Sequence, residues 1–399
     1  MAAIHPGPGR PTSHAPGEGP SAPASATGTR SPRVGEDRLP GRAGAAGGPI
    51  RVGIVGATGY VGAELVRLLE RHPSVRIVGL SARGRDREPI GRTHPHLGAT
   101  GHRMDAAVPE AESVFLALPH GAAAAIVPAL LAEGRVVVDL GPDFRLHDPA
   151  DYPRWYGFEH PAPELLAGAV YGLPELHRVE LGALSGAAPV LVGSPGCYPT
   201  AAILALAPLA REGLIGDLVV DAKSGVSGAG REPKLETLFG EVNESVRAYG
   251  LGGHRHTAEM EQELAALGAG APGGPRANPG AAAVDFLPHL VPMTRGILAS
   301  CHVRPTRAVG QAELDALYTA AYAEEPFVQV VAEPPATKHV LGSNFARIHV
   351  RYDERTGRIL ALAAIDNLVK GAAGQAVQAF NLVHGLPETE GLEQLPLVP

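Results

Sequence analysis

The chain has 399 residues, of which 45% are hydrophobic and 19% are charged, and its formal net charge is −7. This length suits two domains, the balance is that of a globular protein, and the negative charge argues against a protein that binds duplex nucleic acid. No apolar run approaches the roughly 20 residues that span a bilayer, and the N-terminus lacks the pattern of a secretory signal, so we expect a cytoplasmic protein with no membrane partner.

Residues 1–48 are rich in Pro, Gly, Ala and Ser, as in HPGPGRPTSHAPGEGPSAPASATG. They contain too few apolar side chains to offset the entropy lost when a backbone becomes ordered. We therefore predict that this segment is a disordered tail and that the folded protein begins at residue 49.

The next part of the chain alternates strand-like and helix-like patterns. Strands are predicted at 50–56 (IRVGIVG), 75–80, 113–119 and 135–141. The first of them is a β-branched run typical of a strand buried on both faces. Helices are predicted from AELVRLLERH and from 121–134, the latter interrupted by Pro128. This alternation predicts an α/β fold with a Rossmann-type, doubly wound parallel sheet.

The pattern changes beyond about residue 185, where longer strand-like stretches are separated by turns. These stretches are 282–305, 327–334, 345–353 and 358–366. They are typical of a mixed or antiparallel sheet in an α+β domain. The chain closes with a predicted helix whose apolar side carries Val377, Phe380 and Val383. We expect a first domain at 49–196, completed by a C-terminal helix at 367–399, and a second domain at 197–366.

A glycine-rich turn, GATGYVG at 56–62, lies between the first strand and the first helix. Glycine permits a tight turn and a close approach of a pyrophosphate to the backbone, and the N–H groups at the helix start attract phosphate. A purely steric turn is the alternative, but the flanking strand and helix are the context that a dinucleotide motif requires. The predicted cofactor contacts are Gly56, Thr58, Gly59, Tyr60, Val61 and Gly62.

The end of the second strand indicates which dinucleotide is bound. An NAD-selective turn usually carries Asp or Glu against the ribose 2′-hydroxyl, whereas this chain has Ser81, Arg83 and Arg85 there. A hydroxyl and guanidinium groups suit a 2′-phosphate, although an exposed basic loop is the alternative interpretation. We predict NADP, bound in part by Ser81 and Arg83.

The two cysteines have different surroundings. Cys197 lies in VGSPGCYPT and is followed by the apolar run AAILALAPLA, with Gly196 and Pro199 as helix-start residues. A thiol at a helix N-terminus is expected to have a lowered pKa because the dipole stabilises the thiolate. Cys301 lies inside the apolar segment ILASCHV, so we expect it to be a core residue.

The segment GGHRHTAE places His254, Arg255 and His256 at the start of another predicted helix. Imidazole suits acid–base chemistry near neutral pH. A metal site lacks nearby Cys or carboxylate ligands in a recognisable spacing, so no metal is predicted. A solvated basic loop is the remaining alternative from this segment alone.

From about Ile50 to the C-terminus, the chain resembles the N-acetyl-gamma-glutamyl-phosphate reductase family. The matching blocks are GSPGCYPTAAILALAP, VGIVGATGYVGAELVRLL, ALPHG, DLGPDFRL, YGLPEL, KSGVSGAGR, HRHTAEM, TRGILA and AIDNLVKGAAGQAVQAFN. The resemblance implies a Cys197 nucleophile that forms a thioester from an acyl phosphate, with His256 as the acid–base residue and His254 a weaker candidate. It also implies NADPH-dependent reduction in arginine biosynthesis, a fold like that of semialdehyde dehydrogenases, and a homodimer or homotetramer.

The resemblance also suggests further contacts. The candidates for substrate binding are Arg145, Tyr249 and Arg255. The candidates for a loop near the nicotinamide are Gly225, Ser227, Gly228, Gly230 and Asn367. One alternative function is a phosphorylating semialdehyde dehydrogenase acting on aspartyl or aminoadipyl phosphate. Another, from a different class, is a dinucleotide-binding sensor without chemistry, which would leave the PGC and HRH segments unexplained.

Overall fold

A computed structural model describes residues 48–269 and 283–397. The predicted disordered tail therefore lies outside the described residues except for Gly48. Within the described ranges, no helix combines the length and the apolar character needed to cross a bilayer.

Eight strands form the first sheet. They are β1 (Ile50–Val55), β2 (Val75–Ser81), β3 (Glu88–Pro89), β4 (Arg103–Asp105), β5 (Ser113–Leu116), β6 (Val136–Asp139), β7 (Ala169–Tyr171) and β8 (Val190–Gly193). Their order is β3-β4-β2-β1-β5-β6-β8-β7. Every neighbouring pair is parallel except β3 and β4. The predicted doubly wound parallel sheet is confirmed, and the short strands β3, β4, β7 and β8 were not anticipated.

The helices of this half are short. They are α1 (Tyr60–Leu69), α2 (Ile90–Thr93), α3 (Val127–Ala132), α4 (Asp151–Tyr156) and α5 (Pro174–Ala183). The prediction of one helix over 121–134 interrupted by Pro128 was wrong, because α3 begins only at Val127. Pro128 thus lies in the first turn, where its missing N–H leaves no hydrogen bond unmade.

Seven strands form the second sheet. They are β9 (Ile215–Ser224), β10 (Arg247–Ala248), β11 (Asp285–Leu290), β12 (Ile297–Pro305), β13 (Val328–Val330), β14 (Ala346–Asp353) and β15 (Arg358–Ile365). Their order is β10-β11-β9-β12-β15-β14-β13. The pairs β11/β9 and β13/β14 are parallel and the other pairs are antiparallel. The predicted mixed sheet is confirmed, although the interior strand β9 and the short edge strand β10 were missed.

Five helices belong to the second half of the chain. They are α6 (Cys197–Arg211), α7 (Phe239–Val242), α8 (His256–Ala269), α9 (Gln311–Tyr322) and α10 (Gly374–Val383). Helix α6 is buried along its length from Tyr198 to Ala210 and packs on α8, β12 and β15. It starts only four residues after β8 ends. Cys197 therefore lies at the junction of the two halves, between the carboxyl end of β8 in the first sheet and the core of the second sheet.

Helix α10 belongs to the core of the first sheet. Val377, Phe380 and Val383 lie in one buried cluster with residues of β1 and α1, and the rings of Phe115 and Phe380 have centroids 5.4 Å apart. The turn before α10 carries the buried Lys370, whose Nζ donates to Glu175 Oε1 at 2.6 Å. The chain thus crosses from the second sheet back to the first after β15.

An ion-pair cluster joins the two halves beside α1. Arg295, in the loop before β12, contacts Glu64 Oε2 of α1 at 2.6 Å and Asp366 Oδ2 at 3.2 Å. Both carboxylates are buried. A buried pair of this kind fixes orientation more than it adds stability, so the cluster sets the angle between α1 and the second sheet.

Candidate active site

The candidate nucleophile is the first residue of α6. Gly196 precedes it in an extended conformation (φ −69°, ψ 154°), and no side chain caps the helix. The Cys197 side chain is half-buried. Gly371 approaches this side chain closely, because a Cβ added at residue 371 would lie 2.8 Å from Cys197 Cβ. The turn that leads into α10 is therefore in direct contact with the nucleophile.

The expected lowering of the Cys197 pKa was wrong. Burial raises the pKa of this thiol to about 11, although Arg145 and the Tyr198 N–H act in the opposite direction. Cys197 begins the helix as predicted, but the cost of burying a charged thiolate raises its pKa by more than the helix N-terminus lowers it. In this state the thiol is protonated at neutral pH and needs a base. Cys301 on β12 is fully buried in the second core, as predicted.

His256, the first residue of α8, lies against the cysteine loop. A Cβ added at Gly196 would be 2.6 Å from His256 Nε2, so the imidazole occupies the space that the missing side chain leaves. The ring is buried, and burial together with the charges of His254 and Arg145 lowers its pKa well below the usual value. Neutral imidazole can accept a proton, and this one lies next to the residue that precedes the thiol.

His254 is held differently. Its Nδ1 accepts the His256 N–H at 3.2 Å, and its ring makes edge contacts with Tyr198 and Tyr249. Burial, with Arg255, lowers its pKa to about 4. No contact of His254 with the Gly196–Cys197 loop is found among the described residues. The geometry favours His256 over His254 as the partner of the thiol.

Glu259, which the sequence reading did not single out, links the nucleophile loop to α8. Its Oε2 accepts the Gly196 N–H at 2.8 Å and the Tyr171 hydroxyl at 3.0 Å, and its Oε1 accepts Arg145 Nη1 at 3.1 Å. The carboxylate is fully buried. Glu259 follows His256 by three residues, so both lie on one face of the helix. That spacing is the signal that could have identified it.

Arg145 is occupied by the protein. Besides Glu259, it donates through Nε to Ser194 O at 2.7 Å and through Nη2 to Leu140 O at 2.8 Å, and it is 7% exposed. The structure therefore makes Arg145 a support for the cysteine loop in this conformation, rather than the open substrate contact that was expected.

Arg255 and Tyr249, the other two substrate candidates, lie nearer the solvent. Arg255 is exposed and its Nη1 is 3.4 Å from His120 Nδ1. It contacts no carboxylate in the part of the chain that the structure describes. The Tyr249 hydroxyl donates to the Tyr198 hydroxyl at 3.1 Å. The structure thus brings Tyr249 next to the residue that follows the thiol, while Arg255 lies beside the loop after β5.

Several buried polar atoms around the cysteine loop have no hydrogen-bond partner within the described ranges. They are Asp139 Oδ2, Tyr156 hydroxyl, Ser194 Oγ and His256 Nδ1. Buried polar groups are normally paired, so this set suits a polar ligand or water. Burial, with the nearby Asp143, also raises the pKa of Asp139 to about 7. No group of His, Cys, Asp and Glu in the described ranges is arranged to hold a metal ion.

The glycine-rich turn has the geometry expected for a dinucleotide. Gly56 has φ +90°, and a Cβ there would be 2.2 Å from Ala117 O, while one at Gly62 would be 2.4 Å from Gly56 O. Gly59 is the N-cap of α1, with no side-chain cap and no acidic residue in the first turn. The positive end of α1 is therefore not neutralised by a protein carboxylate, which fits a pyrophosphate. Thr58, Tyr60 and Val61 complete the turn.

The end of β2 lies against the glycine-rich turn. Ser81 O accepts the N–H groups of Gly56 and Ala57, at 2.8 and 3.1 Å. Arg85 is paired with Glu88 at 2.7 Å, whereas Arg83 is exposed and has no carboxylate partner within residues 48–269 and 283–397. Of the three arginines between β2 and β3, only Arg85 has a carboxylate partner in the described ranges, so Arg83 and Arg87 are available to a ligand phosphate, and Arg83 is the nearer of these two to Ser81 in sequence.

The second small-residue loop is held by Asn367. Its Oδ1 accepts the Gly296 N–H at 2.7 Å and its Nδ2 donates to Ser227 Oγ at 2.9 Å. Gly225 and Gly228 flank Ser227, and a Cβ at Gly225 would be 2.7 Å from Thr294 O. The Asn367 amide thus shapes the loop that carries Gly225, Ser227 and Gly228.

A glycine-rich turn on a doubly wound sheet, with a cysteine at a helix start and an imidazole packed against the preceding glycine, is the arrangement of an NAD(P)-linked oxidoreductase. A family model described as the NAD binding domain of semialdehyde dehydrogenase matches residues 51–184, and one described as the semialdehyde dehydrogenase dimerisation domain matches residues 197–367. Like the fold, these matches support the predicted class of oxidoreductase.

Named relatives specify the family. N-acetyl-gamma-glutamyl-phosphate reductase of Heliobacterium modesticaldum is 47% identical over 366 residues, covering 88% of this chain and 100% of that protein. The enzyme of the same name from Desulforudis audaxviator is 51% identical over 353 residues, covering 86% and 98%. The chain belongs to the N-acetyl-gamma-glutamyl-phosphate reductase family, as its motifs had indicated.

Solved structures with the same fold are more distant in sequence. An aspartate semialdehyde dehydrogenase with NADP from Candida albicans superimposes with a TM-score of 0.63 at 16% identity, covering 84% of this chain and 98% of that one. Aspartate semialdehyde dehydrogenase II of Vibrio cholerae gives 0.61 at 17% identity, with the same coverage. At this identity the likeness concerns the fold alone, and the semialdehyde dehydrogenase fold is confirmed.

Proposed function

We propose that this protein reduces N-acetyl-L-glutamyl 5-phosphate to N-acetyl-L-glutamate 5-semialdehyde and phosphate, with NADPH, in arginine biosynthesis. The observation that carries the proposal is the packing of His256 into the space left by Gly196, the residue that precedes Cys197. The names of the relatives supply the substrate, and the arrangement of the chain's own residues supplies the chemistry.

In the first step His256 acts as the base. Because burial keeps the thiol protonated and the imidazole neutral, the proton of Cys197 passes to His256 as the sulfur attacks the acyl carbon. The carbon–sulfur bond forms, the carbon–oxygen bond to phosphate breaks, and phosphate leaves with the bonding electron pair. The product is a thioester on Cys197.

In the second step His256 returns the proton. Bound NADPH supplies the hydride that reduces the thioester carbonyl. The imidazolium protonates the developing oxyanion to give a thiohemiacetal on Cys197, and the neutral ring then removes the hydroxyl proton as the aldehyde leaves and the thiol is released. Burial of the site excludes water that would hydrolyse the thioester.

The residues of the glycine-rich turn, Gly56 to Gly62, are proposed to hold the pyrophosphate at the start of α1. The exposed Arg83 and the neighbouring Ser81 support NADP over NAD, because a guanidinium pairs well with a 2′-phosphate. Arg231, just after the loop held by Asn367, donates to Thr93 O at 3.5 Å, and the neighbouring His94 contacts Thr58 O of the glycine-rich turn at 3.1 Å. We therefore assign Gly225, Ser227, Gly228 and Asn367 to the nicotinamide side of the cofactor site.

For the substrate, we propose Arg255 and Tyr249 as contacts, because both lie beside the cysteine loop and Arg255 lacks a carboxylate partner within the described ranges. Arg145 is proposed to act indirectly, through Glu259 and the Ser194 carbonyl. The proposed first domain covers residues 49–196 and is completed by residues 367–399. The second domain covers residues 197–366. Two free thiols, Cys197 and Cys301, suit a reducing compartment, which supports a cytoplasmic location. The match to a dimerisation domain supports a homodimer or homotetramer.

The deciding experiment is the reverse reaction. Phosphate- and NADP-dependent oxidation of N-acetylglutamate semialdehyde is measured through formation of NADPH, with aspartate semialdehyde, NAD and the omission of phosphate as comparisons. We expect activity that requires phosphate and prefers NADP and the acetylated substrate. Equal turnover of aspartate semialdehyde would instead favour the related phosphorylating dehydrogenase.

The role of the thiol is tested by a matched pair of variants. Cys197→Ser is expected to abolish turnover while NADPH binding, followed by fluorescence titration, survives. Cys301→Ser, at a buried thiol outside the site, should retain turnover. In wild type, iodoacetamide should inactivate the enzyme, and substrate should protect it. A sensor without chemistry would show neither turnover nor a thiol that substrate protects.

A further inference from the structure

The proposed cofactor site is divided between the two halves of the chain. The glycine-rich turn, residues 56–62, belongs to the first sheet and leads into α1, whereas the small-residue loop, residues 225–228, follows β9 of the second sheet. A ligand that binds at two places binds tightly only if their separation matches its length. The contacts that fix this separation therefore decide how well both sides of a dinucleotide are held together.

The small-residue loop is attached to the segment that precedes β12. The N–H groups of residues 225, 226 and 227 donate to backbone oxygens of residues 293–296, at 2.9, 2.9 and 3.1 Å. The two segments are in direct contact, because a Cβ added at Gly225 would lie 2.7 Å from Thr294 O. A shift of residues 293–296 would therefore move the small-residue loop as well.

Arg295, in the middle of this segment, connects it to α1. Its Nη2 donates to Glu64 Oε2 at 2.6 Å and its Nη1 donates to Asp366 Oδ2 at 3.2 Å. Glu64 lies four residues after Tyr60, which begins α1, and is thus about one helical turn from the proposed pyrophosphate site. Asp366 directly precedes Asn367, which holds the small-residue loop. One guanidinium thus links the residues that support both parts of the cofactor site.

The surroundings of Arg295 favour one fixed geometry. Its two carboxylate partners are only 4% and 0% exposed, and each is held by a further contact. Glu64 Oε1 accepts Arg67 Nη2 at 2.6 Å, and Asp366 Oδ2 accepts the Gly342 N–H at 2.7 Å. A planar guanidinium bonded to two fixed carboxylates permits little movement between the elements that carry them.

We propose that Arg295 is a positioning residue for the cofactor, which keeps the small-residue loop and the glycine-rich turn at the separation that lets NADPH bind to both. The inference rests on the proposed function, in which the adenosine side of NADPH lies at residues 56–62 and the nicotinamide side at residues 225–228. Loosening the Arg295 contact should weaken the binding of NADPH and spare a ligand that reaches the glycine-rich turn alone.

The test compares the binding of two ligands to the full chain by equilibrium titration. NADPH reaches both places, whereas adenosine 2′,5′-bisphosphate has no nicotinamide side. Arg295→Lys keeps the charge but lacks the planar fork. It should raise the Kd of NADPH about tenfold or more and leave that of adenosine 2′,5′-bisphosphate within about twofold. The matched control is Arg307→Lys, at an exposed pair with Glu313 in the same half of the chain, and it should bind both ligands like wild type.

Glu64→Gln alters the same contact from the side of α1 and separates positioning from charge. This change removes a negative charge close to the proposed pyrophosphate site, so a purely electrostatic role predicts tighter binding of NADPH. Loss of positioning predicts the opposite result. We expect weaker binding of NADPH, with the binding of adenosine 2′,5′-bisphosphate retained or improved.

Circular dichroism identifies a variant that does not fold, in which case the other variant decides. Arg295→Lys with both ligands weakened equally, or with NADPH binding unchanged, overturns the positioning role, as does tighter NADPH binding by Glu64→Gln. If wild type binds neither ligand, the proposed cofactor is wrong and the inference falls with it. If wild type binds both ligands and the variants do not distinguish them, the inference alone is wrong.

Discussion

The contact between Gly196 and His256 gives a sharp test of the proposed chemistry. In Gly196→Ala the new methyl group would lie 2.6 Å from His256 Nε2 and 2.9 Å from Cδ2 and Cε1. The backbone at residue 196, with φ −69° and ψ 154°, is ordinary for alanine. Any effect therefore comes from the imidazole being displaced and not from backbone strain.

The size of the effect follows from the distances. An ordinary contact begins at 3.4 Å, so the ring must retreat by at least 3.4 − 2.6 = 0.8 Å. A misplacement of about 1 Å in a catalytic group costs about a hundredfold in rate, and overpacking a buried site costs about 1–3 kcal/mol of stability. We expect kcat to fall about a hundredfold, while NADPH binding is retained because the glycine-rich turn is untouched.

The assay compares steady-state turnover with thermal unfolding. Gly182→Ala is the matched control: residue 182 lies on the exposed side of α5 with nothing within 4 Å of an added Cβ. It should keep wild-type turnover and gain up to about 1 kcal/mol of stability. If Gly196→Ala were folded and within threefold of wild-type kcat, His256 would not be the base that serves Cys197.

Three further predictions follow from the same site. His256→Asn should lower kcat about a hundredfold or more, whereas His254→Asn should lower it far less; the reverse order would exchange their roles. Glu259→Gln leaves the buried Arg145 without its counter-charge, at a cost of about 3–5 kcal/mol, and should lower kcat. Because the Glu259 charge raises the pKa of the Cys197 thiol, the same variant should also shift the pH midpoint of iodoacetamide alkylation downward, and an unchanged midpoint would contradict this electrostatic role. Burial, with the nearby Asp143, raises the pKa of Asp139 to about 7 in the folded protein from the ordinary 3.8 of an aspartate, so the folded state holds this proton more tightly than the unfolded chain does. Its contribution to stability is therefore present below pH 3.8 and is lost as pH rises to about 7; chemical unfolding across this range should show the decline, and Asp139→Asn should remove it.

Sequence patterns predicted the structure correctly where it is decided by interactions between residues that are close together in the chain. The β-branched run at 50–56 predicted a central buried strand, the glycines at 56 and 62 predicted a tight turn, and Gly196 with Pro199 predicted a helix that begins at Cys197. Each of these depends on residues within a few positions of one another. The structure reproduces all of them.

Features that depend on distant residues were missed or misjudged. The pKa of Cys197 was expected to fall because the helix terminus is visible in the sequence, whereas its burial beneath Gly371 is not. Arg145 was expected to face substrate because its carboxylate partner, Glu259, is 114 residues away. Strand β9 (Ile215–Ser224) is a different case, because buried and part-exposed residues alternate strictly from Leu218 to Ser224, a pattern that the sequence shows and that was overlooked.

The contact of Gly371 with Cys197 has a consequence for how the enzyme comes into being. The nucleophile is synthesised 371 − 197 = 174 residues before the turn that packs against it, and α10, part of the core around β1, follows that turn. A nascent chain can complete neither this core nor the wall behind its thiol until synthesis is almost over. Reductase activity therefore cannot arise during translation, and a product truncated before residue 371 would carry the reactive cysteine without an assembled site to use it.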